Sequence, residues 1–355
     1  MHSSNGAPAP RIAALATAVP SFRMPQAKVK EICRSYFQLI PRIEMLLNIF
    51  DNAEVEFRHF CFPPEYYLSP RAFQHRNQDF LEHAMLLSDQ AIAAALNGSS
   101  LESIDHIIYV TTTGVITPSL EAYLYNRLKL RPDVRRTPIF GIGCAGGVNA
   151  LAHARDFALA YPDSRTLILA VELCGQTFQK GDFSAKNLVA VSLFGDGVSA
   201  VVVDGKQGET EGPQILGTYS ELIRDSLDVM GWDVTSNGLE LILSPTVDDY
   251  VHDCLPGITD RFLQQQEVEL ADIDYFIFHP GGPKILRAYQ EAFQLGDEEL
   301  RFSRHILRCY GNTSSASVLF VLKDVLDHGH PPPGAMGLVA AMGPGFAAEL
   351  ALVRF

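Results

Sequence analysis

Three stretches of this chain recur in the same order, and that duplication constrains the fold more tightly than any single motif. Residues 273–283 (IDYFIFHPGGP) repeat 104–114 (IDHIIYVTTTG), with Asp274 answering Asp105. Residues 311–326 (GNTSSASVLFVLKDVL) repeat 143–158 (GCAGGVNALAHARDFA), with Asn312 answering Cys144, and MGLVAAMG (336–343) answers TLILAVE (166–172). The spacing from strand aspartate to helix start agrees as well, 144 − 105 = 39 residues against 312 − 274 = 38. One such match between two α/β halves is ordinary; three in order read as a duplicated chain. Buried strands alternating with helices predict an α/β fold with a mixed or parallel sheet. The polar, glycine-bearing segment 205–213 is the best interior boundary, dividing the chain into 11–205 and 206–355 behind a disordered tail, 1–10.

Cys144 follows a short apolar run (Ile139, Phe140, Ile142) and precedes a helix of small residues, which places it at a strand-to-helix corner. The free N–H groups of a helix start favour thiolate over thiol, and Gly143, Gly146 and Gly147 let another backbone come close. On its own a cysteine in such a turn is more often simply buried. Duplication changes its meaning. A pseudo-twofold brings equivalent corners together, so Cys144 and Asn312 should face each other, with His279 beside them at the carboxyl end of the repeated strand. Taken singly, His279 merely ends a strand before Pro280, and Asn312 is an N-cap accepting from the N–H of Ser314 or Ser315. Together the three read as a catalytic set.

The balance of charge excludes some partners. With 28 Lys and Arg against 41 Asp and Glu, the net charge is −13, and no basic run is present. Nucleic acid is therefore not an expected partner. The six cysteines (Cys33, Cys61, Cys144, Cys174, Cys254, Cys309) form no CxxC pair and no cluster with histidine, so a reducing cytoplasm is expected and a metal is not. No apolar stretch reaches the roughly 18 residues of a membrane span. The apolar octet after Arg11 stops at Pro20 and reads as a first buried strand, not a secretion signal. Residues 26–50 carry apolar residues at helical spacing broken by Pro41, predicting two helices that cap an entrance. Residues 78–97 predict an amphipathic helix ended by Asn97-Gly98.

Five motifs, GCAGG around Cys144, LFGDG with Phe194, HPGGP with His279, YGNTSSAS with Asn312, and MGPG near the C-terminus, stand in the order found in the chalcone synthase family. Over residues 11–355 the chain resembles these type III polyketide synthases of the thiolase superfamily. The segment DVMGWDVTSNGLELILS, with Trp232, is most similar to bacterial alkylpyrone and alkylresorcinol synthases. The resemblance implies a thiolase-like five-layered αβαβα fold built from two duplicated halves and a homodimer. It also implies iterative condensation of malonyl-CoA onto an acyl-CoA starter, with coenzyme A thioesters as substrates and no cofactor. Phe194 is then a gatekeeper between CoA tunnel and cavity, Leu241 stands where plant enzymes carry a second gatekeeper phenylalanine, and Thr113 and Thr177 line the cavity. Thr117 falls where the plant enzymes send a methionine into the partner subunit, Gly343, Pro344 and Gly345 shape the cavity wall, and Arg58 is the candidate for a CoA phosphate. A medium to long fatty acyl starter, two or three malonyl extensions and release as an alkylpyrone or alkylresorcinol are expected.

The residue types support that chemistry directly. A thiol with a pKa of about 8.5 is only a few per cent ionised at neutral pH, so an imidazolium beside Cys144 is expected to hold it as the attacking thiolate. Decarboxylation of malonyl-CoA gives an enolate whose oxygen His279 Nε2–H and the Asn312 amide can hold, while the Cys144 N–H serves the tetrahedral oxyanion. A ketoacyl synthase III-type enzyme shares the three residues but condenses once, and HPGGP and MGPGFAAELALVRF oppose it. A hydroxymethylglutaryl-CoA synthase needs a carboxylate base, for which Glu172 qualifies by position alone. A silent acyl-binding protein is opposed by the intact Cys144, His279, Asn312 set.

Overall fold

The computed structural model describes residues 9–205 and 211–355. In the first half, β1 (Arg11–Ala18) leads to a small two-stranded sheet, β2 (Phe22–Pro25) and β3 (Phe57–Phe60), that brackets three short helices, α1 (Gln26–Tyr36), α2 (Ile43–Leu46) and α3 (Asn48–Asp51). Next come α4 (Pro64–Leu68), α5 (Phe73–Leu96), β4 (His106–Thr111), α6 (Leu120–Leu128) and β5 (Arg135–Phe140). The half closes with α7 (Gly146–Ala160), β6 (Arg165–Leu173), α8 (Ala185–Leu193) and β7 (Asp196–Asp204). The second half runs β8 (Gln214–Leu222), the hairpin β9 (Met230–Thr235) and β10 (Gly238–Leu243), α9 (Val247–Gln265), β11 (Tyr275–Phe278) and α10 (Pro283–Phe293). It ends with α11 (Arg301–Tyr310), α12 (Ser317–Asp324), β12 (Met336–Gly343) and β13 (Ala347–Arg354).

Nine strands hydrogen-bond in the order β11-β12-β13-β8-β1-β7-β6-β4-β5. Counted outward from the β8–β1 seam, one side mirrors the other: β1, β7, β6, β4 against β8, β13, β12, β11. Both sides carry one parallel pair, β4 with β6 and β11 with β12, and antiparallel pairs elsewhere, while β5 adds a parallel edge strand to the first half only. The seam itself pairs Arg11 with Gln214, flanked by Ile215 N–H donating to Pro10 O at 2.8 Å.

Period-2 alternation along the strands sorts their side chains into three cores. Ile108, Val110, Ile168, Ala170, Val201, Val203, Ile277, Val339 and Ala341 face inward against Val148, Leu151 and Ala154 of α7 and Val318, Leu319 and Leu322 of α12. On the outer side of the first half, Ile107, Tyr109, Leu167, Leu169, Ala200 and Val202 meet α5 and α6. Phe276, Phe278, Leu338, Ala340, Leu350 and Leu352 meet α9 and α10 on the other. Helix, sheet, paired α7 and α12, sheet, helix is the five-layered arrangement the duplicated halves imply.

The repeat extends to individual bonds. Asp105 N–H donates to Arg165 O at 2.9 Å while its carboxylate accepts from Arg165 N–H at 2.8 Å; Asp274 makes the same two bonds with Met336, at 2.9 and 2.8 Å. At the corners the structure shifts the expected register. Gly143 (φ +58°) and Ser314 (φ +50°) both take the left-handed conformation and open matching single 3-10 turns, Gly143–Ala145 and Ser314–Ala316, into α7 and α12. Ser315, not Asn312, is thus the structural counterpart of Cys144. Asn312 lies earlier because it first bridges to the end of α8, its N–H donating to Leu193 O at 2.8 Å and its carbonyl accepting Gly195 N–H at 3.0 Å.

Smaller departures have local causes. The tail prediction falls on residues 1–8, outside the described residues, and on Pro10, which is buried and tied to β8. Of the boundary segment, 206–210 also lie outside the described residues, while Gly212 O accepts from Arg11 Nη1 at 2.7 Å. Helix α5 starts at Phe73, five residues before the predicted 78, and ends as expected at Asn97 in the left-handed conformation (φ +43°). Pro41 does break the 26–50 segment, and α1 to α3 pack Val29, Cys33, Phe37, Leu47 and Phe50 onto Leu188 of α8 as a separate apolar cap.

Candidate active site

The turn that carries Cys144 is held from both sides by backbone. A Cβ on Gly343 would lie 2.3 Å from Ile142 O, and one on Gly143 would lie 2.4 Å from Pro344 Cδ. Only glycine allows that approach. The Gly343-Pro344-Gly345 segment therefore clamps the Cys144 turn, a positioning duty beyond the wall expected of it. Cys144 is buried, with Sγ 3.8 Å from Ser314 Oγ, which in turn is 3.3 Å from Thr112 Oγ1.

Behind the thiol lies Glu172, fully buried and accepting four hydrogen bonds. They come from Thr112 N–H (3.1 Å), Thr112 Oγ1 (2.9 Å), Thr113 Oγ1 (2.7 Å) and Ser315 Oγ (2.5 Å). Burial raises its pKa and those donors oppose the rise. Thr113, expected to line a cavity, spends its hydroxyl here, donating to Glu172 and accepting from Leu173 N–H at 3.0 Å.

His279 follows β11, its N–H bound to Ala340 O at 2.9 Å, and both ring nitrogens are buried without a partner. Asn312 reaches the bend after it: Nδ2 donates to Gly281 O at 3.1 Å, and Oδ1 accepts Ser314 N–H at 2.8 Å. The structure brings Cys144, Asn312 and Ser314 together and ties the His279–Gly282 bend to them through Gly281. Ser314 and Thr112 are the site residues that sequence reasoning passed over. Position two after Asn312, in a serine-rich run at a corner, was the available signal.

Electrostatics departs from the expected ion pair. Burial pushes the Cys144 thiol up to about 12, against the hydrogen bond to Ser314 that favours the thiolate, and burial pushes the His279 imidazole down to about 3. Burial thus works against both the charged sulfur and the charged imidazole. A consequence is measurable. Inactivation by iodoacetamide should quicken by about tenfold per unit between about pH 6 and 9, because only the growing thiolate fraction reacts. A rate already flat near neutral pH would show that the ion pair exists at rest.

Thr177, Cys174, Gly175 and Phe194 line an apolar cavity that continues beneath the cap to Val29 and Cys33. The Phe194 ring stands 6.3 Å from Trp232, which pairs across the β9–β10 hairpin with buried Leu241. Cross-strand partners share a face, so Leu241 backs the Phe194–Trp232 contact. Thr117 is exposed on the single chain and lines none of this space. Arg58 contradicts its expected role. It is wholly buried, and its guanidinium donates to Val191 O, to Phe194 O (3.0 Å) and to Gln26 Oε1 (2.6 Å). It satisfies carbonyls at the end of α8, and although Nε has no partner the whole side chain is shut away from solvent, where a CoA phosphate would have to sit. Among the described residues no group of three or more His, Cys, Asp or Glu could hold a metal ion.

Comparison with known proteins gives a consistent result. The sequence model for the N-terminal domain of chalcone and stilbene synthases matches residues 67–207, and that for the C-terminal domain matches 214–355. The chain is 38% identical over 351 residues to the 1,3,6,8-tetrahydroxynaphthalene synthase of Streptomyces peucetius subsp. caesius, covering 97% of this chain and 93% of that one. It is 30% identical over 352 residues to the 3,5-dihydroxyphenylacetyl-CoA synthase of Amycolatopsis balhimycina, with coverage of 97% and 93%. The crystal structure of 1,3,6,8-tetrahydroxynaphthalene synthase from Streptomyces coelicolor A3(2), a bacterial type III polyketide synthase, matches with a TM-score of 0.92 at 32% identity, over 97% of this chain and 99% of that one.

Proposed function

The chain belongs to the chalcone and stilbene synthase family, the type III polyketide synthases, and from that premise we propose that it extends a medium to long fatty acyl-CoA with malonyl-CoA on Cys144. As a member it is an acyltransferase that condenses malonyl-CoA iteratively and uses coenzyme A thioesters without a further cofactor. The starter is loaded as Cys144 Sγ attacks the acyl carbonyl. His279 takes the thiol proton during attack and passes it to the departing CoA sulfur, which returns the ring to the neutral state its burial favours. Malonyl-CoA then loses carbon dioxide. The resulting enolate oxygen is held by His279 Nε2–H and an Asn312 Nδ2–H, its carbon attacks the Cys144 thioester, and the sulfur leaves.

The observation that carries the long starter is the apolar cavity running from Cys174 and Thr177 beneath α1. An alkyl tail there would leave water while its carbonyl stays at the thiol. Two or three extensions and closure to an alkylpyrone or alkylresorcinol complete the proposal. The relatives named as tetrahydroxynaphthalene and dihydroxyphenylacetyl-CoA synthases favour a second reading, aromatic products without a long tail. Supplying acyl-CoA of increasing length with malonyl-CoA and weighing the products separates the two. Mass rising with the added acyl chain supports the first, and one product independent of starter supports the second. Cys33→Phe, which fills the far end of the cavity, should cut use of the longest starters by about tenfold or more while sparing short ones; a uniform loss would place the tail elsewhere.

A homodimer is proposed on the family pattern. It is supported by the edge strand β5, with Phe140 54% exposed, and by exposed Thr117 in the loop after β4. Free cysteines throughout agree with a reducing cytoplasm. No helix among the described residues is long and apolar enough to cross a membrane.

A further inference from the structure

The cap that roofs the acyl cavity is also apolar on its outer side. Leu39, in the turn between α1 and α2, is 91% exposed, Met45 on α2 is 58% exposed, and Phe183 in the loop before α8 is 52% exposed. They belong to one structural unit. The Phe183 ring stacks with Tyr36 at 6.4 Å and meets Phe37 edge-on at 5.5 Å, and Tyr36 Oη donates to Lys180 O at 3.0 Å. Tyr36, Phe37 and Phe178 line the cavity from within, so the exposed tips stand on the far side of the same wall.

The free charges around these tips are mostly cationic, Asp182 next to Phe183 being the one carboxylate without a cationic partner among the described residues, its Oδ1 accepting Ser184 N–H at 2.8 Å. Arg34 is neutralised by Glu44 at 2.7 Å. Arg42, Lys180 and Lys186 have no carboxylate partner among the described residues, in a chain whose net charge is −13. Single aliphatic and aromatic tips rimmed by unpaired cations suit an interface of acyl chains and anionic headgroups. A protein partner would require a broad complementary face, on the order of 800 Å² per side, and the three tips protrude singly.

We propose that the α1–α2 turn and the Phe183 loop dock the enzyme on an anionic lipid surface, setting the acyl cavity against the source of its long-chain substrates or the sink for its alkyl products. The use made of the contact rests on the acyl-starter reading; the contact itself does not.

The experiment is co-sedimentation of the full chain with phosphatidylcholine vesicles containing about 30% phosphatidylglycerol, against phosphatidylcholine alone. Wild type should pellet with the anionic vesicles, less with neutral ones and less at high salt. Leu39→Glu with Met45→Glu should weaken partitioning by at least about tenfold, while turnover of a short, soluble acyl-CoA stays at the wild-type rate and reports an intact fold. Wild type remaining in the supernatant, or the double variant pelleting equally, overturns the proposal. So does a result in which vesicles are ignored but the double variant raises KM only for a starter presented on a carrier protein, which would make the patch a protein dock. Vesicle binding without use of long starters keeps the docking surface and removes the acyl-starter reading instead.

Discussion

Cys144→Ala should lower product formation by on the order of 10³-fold or more, leaving no species heavier than the substrates in a mass spectrum of the reaction. The magnitude follows from the nature of the step. Condensation needs an acyl group fixed at a carbon that the enolate can reach, and no other thiol is placed to hold one. Cys33 and Cys174 line the apolar cavity, but neither has the Ser314 hydroxyl and Asn312 amide that flank Cys144 Sγ, and Cys61 lies outside that lining. Cys254 and Cys309 lie partly exposed, and neither lines the cavity beside Phe194. The substitution removes one buried sulfur from a turn whose shape is set by Gly143, Gly343 and Pro344, so the melting temperature should shift little. Release of carbon dioxide from malonyl-CoA should persist in part, because His279 and Asn312 are untouched. Condensation retained at the wild-type rate would remove the sulfur from its assigned role.

The duplication was legible because strands write themselves in period 2 and each strand aspartate has a fixed partner. Asp105 and Asp274 were found by pattern and proved to bond Arg165 and Met336 identically. The register of the two corners was not legible. Matching Asn312 to Cys144 gave 38 residues against 39, whereas the turns themselves match Ser315 to Cys144, with 315 − 274 = 41. A residue with positive φ that is not glycine gives no compositional sign, and Ser314 is such a residue. Arg58 was misjudged for a related reason, since a charged letter carries no record of whether its donors face water or the end of α8. Thr113 likewise reads as a cavity residue until its hydroxyl is seen to be committed to Glu172 and Leu173. At the site, burial is the property that residue identity leaves out. Residue identity suggests an ion pair for cysteine beside histidine, while the depth of burial, a property of the whole fold, favours the neutral couple.

Asn312 provides the sharper test, because its side chain has two duties that different substitutions separate. Its amide has two N–H groups; one is committed to Gly281 O at 3.1 Å, which leaves the other for an enolate oxygen, and its carbonyl anchors Ser314 N–H at 2.8 Å. Asn312→Ala should lower malonyl-CoA decarboxylation by about 10²- to 10³-fold, the loss of about 2.7–4 kcal/mol typical of one oxyanion donor, while acylation of Cys144 by starter persists. Part of that loss would come from Ser314 moving away from the sulfur once its N–H is unpaired. Asn312→Asp isolates the electrostatic share. It keeps an acceptor for Ser314 N–H but brings a negative charge to the place where the enolate develops and removes both N–H groups. Decarboxylation should fall at least as far as in the alanine variant. Burst labelling of Cys144 by acyl-CoA, read by mass on the intact chain, should remain in both. If aspartate restored decarboxylation relative to alanine, the amide would be acting only as a brace for Ser314, and stabilisation of the enolate would have to be assigned to His279 alone.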